Sequence, residues 1–396
     1  LQLEKELLNA GLLKDADIVR LRKEVQVAVD EATVWADAQA DPDPETALLH
    51  VLSEEDSGLE VESTEPSGEP IVVVDAINHA LHEEMERNEK VIVYGEDVAG
   101  GKGGVFTATR ELTAKFGKER CFNSPLAEAS IIGTAVGFAS AGFKPVVEIQ
   151  FGDYIWPAMQ ALRNQVASYR YRSNGDWACP MVIRVPVGGY IHGGLCHSQN
   201  IESIFAHMPG FQIAMPSTAA DAKGLLKAAI RMDDPVIFME HKALYRSAAA
   251  RSPEPDSEYL LPFGKARTVR EGTDLTIVTY GMMVHKSVNA ARQLEKEGLS
   301  VEIIDLRTLL PIDMDTVLAS VRKTSRALVV YEDHEFLGYG AELAAQIADI
   351  AFFELDAPVK RLAGKFAQIA FADPLERALL PQDEDILDAV RNLASL

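Results

Sequence analysis

Four short apolar runs recur through the middle of the chain: Val91–Tyr94, Pro145–Gln150, Met181–Val185 and Val236–Met239. Each reads as a strand, and Met181–Val185 as one of the buried type. Stretches with three- and four-residue apolar spacing separate them, over about 73–88, 108–116, 127–141, 154–171 and 218–231. Strands alternating with helices force crossover connections, and so a parallel α/β sheet with helices on both faces. In the first helix the spacing turns Ile77, Ala80, Leu81 and Met85 inward. Arg120–Phe122 and Gln212–Met215 add short strands, and the Ala- and Gly-rich 127–141 stretch predicts a helix that neighbouring backbones approach closely.

The same alternation returns in a smaller unit, with strands over 274–279, 301–305, 327–331 and 358–362 and helices near 283–297, 313–322, 340–354 and beyond Pro374. Pro253, Pro255 and Pro262 mark a linker between the two units. Upstream, residues 4–38 read as helical through Leu7, Leu8, Leu12, Leu13, Ile18, Leu21, Val25 and Val29, and Asp41-Pro42-Asp43-Pro44 ends that run. The expected organisation is therefore a helical segment (1–50), an acidic linker (51–70), an α/β domain (71–248), a linker (249–262) and a second α/β domain (263–396). Residues 1–70 carry 18 acidic and 5 basic side chains, over half of the net charge of −22. A field of that sign disfavours nucleic acid and anionic membranes as partners. Three cysteines without CxxC spacing argue for a reducing compartment and against a zinc site. No apolar run reaches the ~18 residues of a membrane span. The chain opens on Leu1 rather than Met, so processing or a longer parent polypeptide stays open.

Two residues stand out for chemistry, both near the ends of expected strands, where open α/β sheets bind ligands. Glu128 follows Ser124-Pro125-Leu126-Ala127. Beside Leu126 it would be partly desolvated, which favours a proton donor; from spacing alone, a dipole-favoured residue at a helix N-terminus is the better reading. Glu96, in Gly95-Glu96-Asp97, is either a turn carboxylate or the second half of an acid/base pair. His197 lies in Gly193-Gly194-Leu195-Cys196-His197-Ser198-Gln199, with Gly188 and Gly189 upstream. Such glycines permit close approach of a ligand, whereas a lone loop histidine also reads as surface filler. Neither this loop nor Gly101-Lys102-Gly103-Gly104 matches a dinucleotide or P-loop motif. His334 is a weaker candidate, and Tyr154 and Trp156 read as core aromatics or stacking platforms.

These pieces occur in a set order. Gly95-Glu96-Asp97-Val98, Ser124–Glu128, Glu148-Ile149-Gln150-Phe151-Gly152-Asp153-Tyr154, Tyr169–Ser173, His197-Ser198-Gln199 and His207-Met208-Pro209-Gly210 follow one another, then Ile304–Thr308 and Gly338–Leu343. That order, from about Ile71 to the end, resembles the β subunit of the E1 component of thiamin-dependent 2-oxo acid dehydrogenases. Phe151–Tyr154, Arg170–Ser173 and Ala243-Leu244-Tyr245-Arg246 are most similar to the branched-chain, 2-oxoisovalerate type, with pyruvate and acetoin relatives close.

The resemblance implies a transketolase-like pyrimidine-binding domain followed by a transketolase C-terminal-like domain. It implies thiamin diphosphate shared with an α half, Mg²⁺ held by that half, an (αβ)₂ assembly, and a lipoyl-bearing E2 acyltransferase as partner. The cofactor carries the carbanion chemistry; Glu128 matches the carboxyl group set against its aminopyrimidine. Tyr154 matches the aromatic stacked on that ring, and Glu96, Leu126 and Gln150 match further pocket positions. His197 matches the histidine near the reacting carbon. A potassium site is implied at Met181, Val182, Ala229, Met232 and Asp234, mostly through backbone oxygens. Residues 1–50 are similar to the C-terminal helices and Asp-Pro-x-Pro tail of the α subunit, which predicts the C-terminal part of a fused α–β polypeptide; an extended β subunit is the alternative. The family implies a bacterial cytoplasm, or a mitochondrial matrix. A non-catalytic scaffold and a sugar-phosphate synthase of transketolase type are the competing readings. Retention of Glu128, Tyr154 and His197 weighs against the first. The second needs a diphosphate motif ahead of residue 71, for which Leu1–Pro70 has no room.

Overall fold

Side chains on successive residues of the apolar runs point to opposite faces, and each face finds its own helices. A computed structural model describes residues 2–54 and 65–396. Residues 55–64, most of the expected acidic linker, lie outside the described residues. Two units are distinguished, Leu1–Leu49 and His50–Leu396.

The first unit holds helices α1 (Gln2–Asn9) and α2 (Asp15–Asp37). The single helical run expected over 4–38 breaks at Gly11, which takes φ +68°. Leu12 N–H donates to Leu7 O at 3.0 Å and Gly11 N–H to Leu8 O at 3.0 Å, a Schellman stop that a left-handed glycine permits. Neither helix buries a single residue.

In the larger unit, α3 (Val73–Arg87) leads to β1 (Val91–Gly95). Then follow α4 (Leu112–Phe116), β2 (Cys121–Asn123), α5 (Glu128–Ser140), β3 (Lys144–Glu148) and β4 (Val182–Val187). β5 (Gln212–Ala214), α6 (Ala219–Arg231) and β6 (Val236–His241) complete the first α/β layer set. Ile77, Ala80, Leu81 and Met85 of α3 are fully buried. They pack with Val91 and Val93 of β1 and with α6, while Ile92 and Tyr94 face Ile131, Ile132 and Ala135 of α5 on the other side. The second layer set holds β7 (Arg267–Arg270), β8 (Leu275–Thr279), α7 (Met282–Leu294) and β9 (Val301–Asp305). It continues with β10 (Thr308–Leu310), α8 (Met314–Thr324), β11 (Ala327–His334) and α9 (Tyr339–Ile350). It ends with β12 (Lys360–Gly364), α10 (Asp373–Leu379) and α11 (Asp383–Ala394).

The seven-stranded sheet runs β10-β5-β6-β4-β3-β1-β2, parallel except for β10. The five-stranded sheet runs β12-β11-β8-β9-β7, parallel except for β7. The two antiparallel edge strands, β7 and β10, are short and were not expected from the sequence. β10 leaves the second layer set to pair with β5 of the first, and one core runs from Ile183 and Ile213 through Leu306 and Leu309 to Val329. The proline-marked segment over 249–262 is anchored, not loose: Ser252 and Pro253 pair with Ile71 and Pro70, and Tyr259, Leu260 and Leu261 are buried.

The helix expected over 154–171 is a series of short turns, with a π-helical turn at Leu162–Val166 and a short α-helix at Tyr169–Arg172. α5 packs through Ile131, Ile132, Ala135 and Ala139, whereas its glycines face away from that contact: among the described residues, a Cβ at Gly133 or Gly137 would meet nothing within 4 Å. Among the described residues, no helix is long and apolar enough to cross a membrane.

Candidate active site

Every chemistry-bearing residue singled out in the first α/β domain springs from the carboxyl end of a strand in the parallel sheet. Glu96 follows β1, Glu128 follows β2, Gln150 and Tyr154 follow β3, and His197 sits in the long loop after β4. β1 lies between β2 and β3, so Glu96 emerges between the other two groups. The carboxylates converge. Burial raises the Glu96 carboxyl above the usual carboxylate range, and the neighbouring Glu128 charge raises it further, against a hydrogen bond from Ala127 N–H. Glu96 is 8 % exposed, and its Oε1 is buried without a hydrogen-bond partner. Gln150 Nε2 donates to the Glu96 carbonyl at 3.4 Å. Leu126, expected to desolvate Glu128, is 84 % exposed instead, because the 124–127 segment turns away from the core before α5 begins.

Tyr154 and His197 meet directly. The Tyr154 hydroxyl lies 2.7 Å from His197 Nε2, and His197 Nδ1 lies 3.2 Å from Gly193 O. A carbonyl can only accept, so Nδ1 carries the proton in the neutral ring and Nε2 accepts from the tyrosine. Phe151 backs the pair, with its ring edge-on to His197 at 4.6 Å and to Tyr154 at 5.3 Å. The glycines around His197 make room for the protein's own atoms rather than for a ligand. Gly188 adopts φ +87°, and a Cβ there would fall 2.2 Å from His241 Nε2; at Gly189 it would meet Leu380 and at Gly193 the His197 carbonyl.

Behind this pair lie groups that sequence reasoning missed. Lys242, just past β6, has its Nζ 5.7 Å from the Phe151 ring centroid and buried without a hydrogen-bond partner. Burial pushes its ammonium down to about 7 against the pull of Asp153 and Glu332. Asp153 Oδ2 accepts from Gln199 N–H at 3.3 Å, and burial raises its carboxyl. Deeper still, Arg184 of β4 donates twice to Glu240 and once to Glu148, all at 2.7 Å, and the Tyr245 hydroxyl donates to Glu240 at 2.6 Å. A charge inside the apolar run Val182-Ile183-Arg184-Val185 was the signal for this cluster, since a buried charge demands partners. Phe151 and Lys242 gave no such signal.

A cavity of about 280 Å³ adjoins the His197 loop, lined in part by Ser198, Gln199, Ser203, Asp333, His334 and Gln368. His334 thus lies against this cavity, with its Nδ1 2.9 Å from Lys365 O. Glu96, Glu128, Gln150 and Tyr154 lie outside that cavity. Trp156 is 38 % exposed.

The resemblance implies two groups at these residues, the aminopyrimidine of thiamin diphosphate and a potassium ion. An orphaned buried carboxylate oxygen on Glu96, beside Glu128 and close to aromatic Tyr154, is a donor set suited to a protonatable aminopyrimidine, so the residues fit that half of thiamin diphosphate. The potassium set does not fit. Met232 O already accepts from Lys144 Nζ at 2.6 Å. Met181 O accepts from Val236 N–H, and Val182 is locked between β3 and β6. The Asp234 carboxylate holds Ser53 N–H at 2.8 Å, Gln212 Nε2 at 3.0 Å and Arg170 Nε at 3.5 Å. Among the described residues, no cluster of three or more His, Cys, Asp or Glu is placed to hold a metal ion.

Comparison with known proteins identifies the family. Residues 69–248 match the family described as "Transketolase, pyrimidine binding domain", and residues 264–386 the "Transketolase, C-terminal domain". The chain is 48 % identical over 322 residues to the 2-oxoisovalerate dehydrogenase subunit beta of Bacillus subtilis, covering 81 % of this chain and 98 % of the relative. It is 46 % identical over 323 residues to the pyruvate dehydrogenase E1 component subunit beta of the same organism, covering 82 % and 98 %. Among solved structures it is similar to one described as a split-gene transketolase, an inactive β4 tetramer, with TM-score 0.64 and 24 % identity over 82 % of this chain and 99 % of that one; that likeness concerns the fold alone.

Proposed function

We propose, from the premise that this chain belongs to the E1 β-subunit family of 2-oxo acid dehydrogenases, that it forms the pyrimidine half of a thiamin diphosphate site completed by an α half. The single observation that carries the proposal is the convergence of Glu96 and Glu128 at adjacent strand ends, where burial first and the Glu128 charge second raise the Glu96 carboxyl. When bound, thiamin diphosphate supplies the nucleophilic carbon and holds the electron pair released on decarboxylation. Glu128 holds a proton at a ring nitrogen of the aminopyrimidine. Glu96, Gln150 and Leu126 would hold that ring together with it. Tyr154 stacks on the ring and at the same time fixes His197 through the 2.7 Å bond. His197, presented in one tautomer, serves proton movement beside the 2-oxo acid. The diphosphate and Mg²⁺ fall to the α half.

The acyl group then passes to a lipoyl group on an E2 acyltransferase, and the assembly is (αβ)₂ in a bacterial cytoplasm, as the Bacillus relatives favour. Helices α1 and α2 leave Val19, Val25, Val34 and Trp35 more than 60 % exposed. We infer from the resemblance of this segment to the C-terminal helices of the α subunit that they belong to an α half fused ahead of this chain. Branched-chain 2-oxo acids are the substrates we favour, on the 2-oxoisovalerate relative. Pyruvate is the second reading, carried by the 46 % relative.

The test is co-expression with the α half, followed by measurement of bound thiamin diphosphate and of kcat/KM over a panel of 2-oxo acids. Stoichiometric cofactor is expected, with 3-methyl-2-oxobutanoate preferred to pyruvate by about 10–200-fold, the range one methylene or a few contacts supply. Preference for pyruvate would overturn the branched-chain assignment alone; absence of bound cofactor would overturn the half-site. In that enzyme, Tyr154→Phe removes one hydrogen bond to His197, and a fall in kcat/KM of about 2–10-fold is expected from its ~0.5–1.5 kcal/mol. The His197 ring nitrogens should show mixed tautomers by ¹⁵N NMR; a single unchanged tautomer would mean that Gly193 alone orients the ring.

A further inference from the structure

The C-terminus of α6 is a cation site, and the protein fills it from its own sequence. Helix α6 ends at Arg231, and Met232 is its C-cap. The last carbonyls of a helix lack intrahelical donors and form the negative pole of the helix dipole, so this end attracts a positive group. Lys144, the first residue of β3, reaches it. Its Nζ lies 2.6 Å from Met232 O, 3.3 Å from Arg231 O and 2.8 Å from Asp233 Oδ1. A lysine ammonium has three donors, and here each has an acceptor. The Lys144 backbone is pinned as well, since its N–H donates to Lys90 O at 2.9 Å. The side chain is 19 % exposed. The neighbouring Asp234 has both carboxylate oxygens engaged by Gln212, Ser53 and Arg170.

We propose that the Lys144 ammonium replaces a monovalent metal cation at the α6 C-terminus, so that this chain is stable without potassium. The ammonium is a compact point charge, and of the positions implied for potassium it takes the carbonyl of Met232, with that of Arg231 beside it. The helix end, β3 and the 233–234 turn are thereby tied by a covalent tether instead of an exchangeable ion.

Thermal unfolding of the full chain is the test, alone and with its α half, in KCl and in tetramethylammonium chloride at matched ionic strength. The same Tm in both salts at every concentration is expected. A Tm that rises by several degrees with KCl, saturates, and does not rise with tetramethylammonium would overturn the proposal, because only a ligand of the folded state behaves so. Lys144→Met keeps the methylene stem and removes the charge; its Tm is expected to fall below that of the wild type in both salts. A Lys144→Met protein as stable as the wild type would equally overturn the proposal, for the carbonyls would then need no cation. Should the variant fail to fold, the wild-type salt series decides by itself.

Discussion

Glu128→Gln in the enzyme reconstituted with its α half is expected to lower the decarboxylation rate by about 10²–10⁴-fold, the range of a positioned acid–base group, while thiamin diphosphate still binds. The substitution keeps the shape and a hydrogen-bonding end but removes the carboxyl proton equilibrium. It removes a neighbouring charge too. Glu128 is the second cause, after burial, of the raised Glu96 carboxyl, so the Glu96 pKa should fall toward the ordinary range in the variant. The checks are single-turnover decarboxylation with an artificial electron acceptor, cofactor titration by fluorescence quenching, and carboxyl titration by ¹³C NMR. A variant with normal turnover would remove the role given to Glu128 and bring forward the scaffold reading.

Arg184→Met is expected to be the most destabilising single change in the first domain, by about 3–5 kcal/mol. Arg184 and Glu240 are 0–1 % exposed, and the guanidinium spans three adjacent strands by pairing Glu148 with Glu240. Methionine fills much of the volume but leaves two carboxylates without a countercharge. Burial already raises Glu148 and Arg184 opposes it. Without the arginine the folded-state pKa of Glu148 rises further above its unfolded value. The folded variant then binds more protons than the unfolded chain, so its stability declines as pH rises through that interval and recovers on acidification. Urea unfolding at neutral and mildly acidic pH measures both effects. A midpoint equal to the wild type, or a deficit that grows on acidification, would contradict this account.

The Arg184 cluster also marks how far the sequence could be read. A charged residue within a run of apolar ones announces a buried partner, but the partner is named only by strand order, and β4 lies between β3 and β6 because of crossovers that no local pattern encodes. Convergence of Glu96 with Glu128 was hidden for the same reason. By contrast, the inward face of α3 was legible at Ile77, Ala80, Leu81 and Met85, since periodicity is local. The run over 154–171 misled because helical spacing does not distinguish an α-helix from a chain of turns containing a π-helical one. The roles of Tyr154 and His197 came from resemblance; their mutual bond did not, as it depends on how two loops from neighbouring strands fold over Phe151. The potassium expectation rested on positions in the sequence, and the side chain that answers it, Lys144, lies about 90 residues upstream of the carbonyls it holds.

Strand β10 has a consequence for how the site opens. Two-domain enzymes commonly close on substrate by hinge bending, which needs a joint at which only the covalent chain crosses. Here Thr308 and Leu310 are hydrogen-bonded into the sheet of the other domain, and Leu306 and Leu309 are sealed in its core. Bending at this joint would have to break the pairing of β5 with β10. The loop bearing His197 is therefore carried on a rigid platform, and admission of substrate becomes the task of whatever polypeptide completes the site.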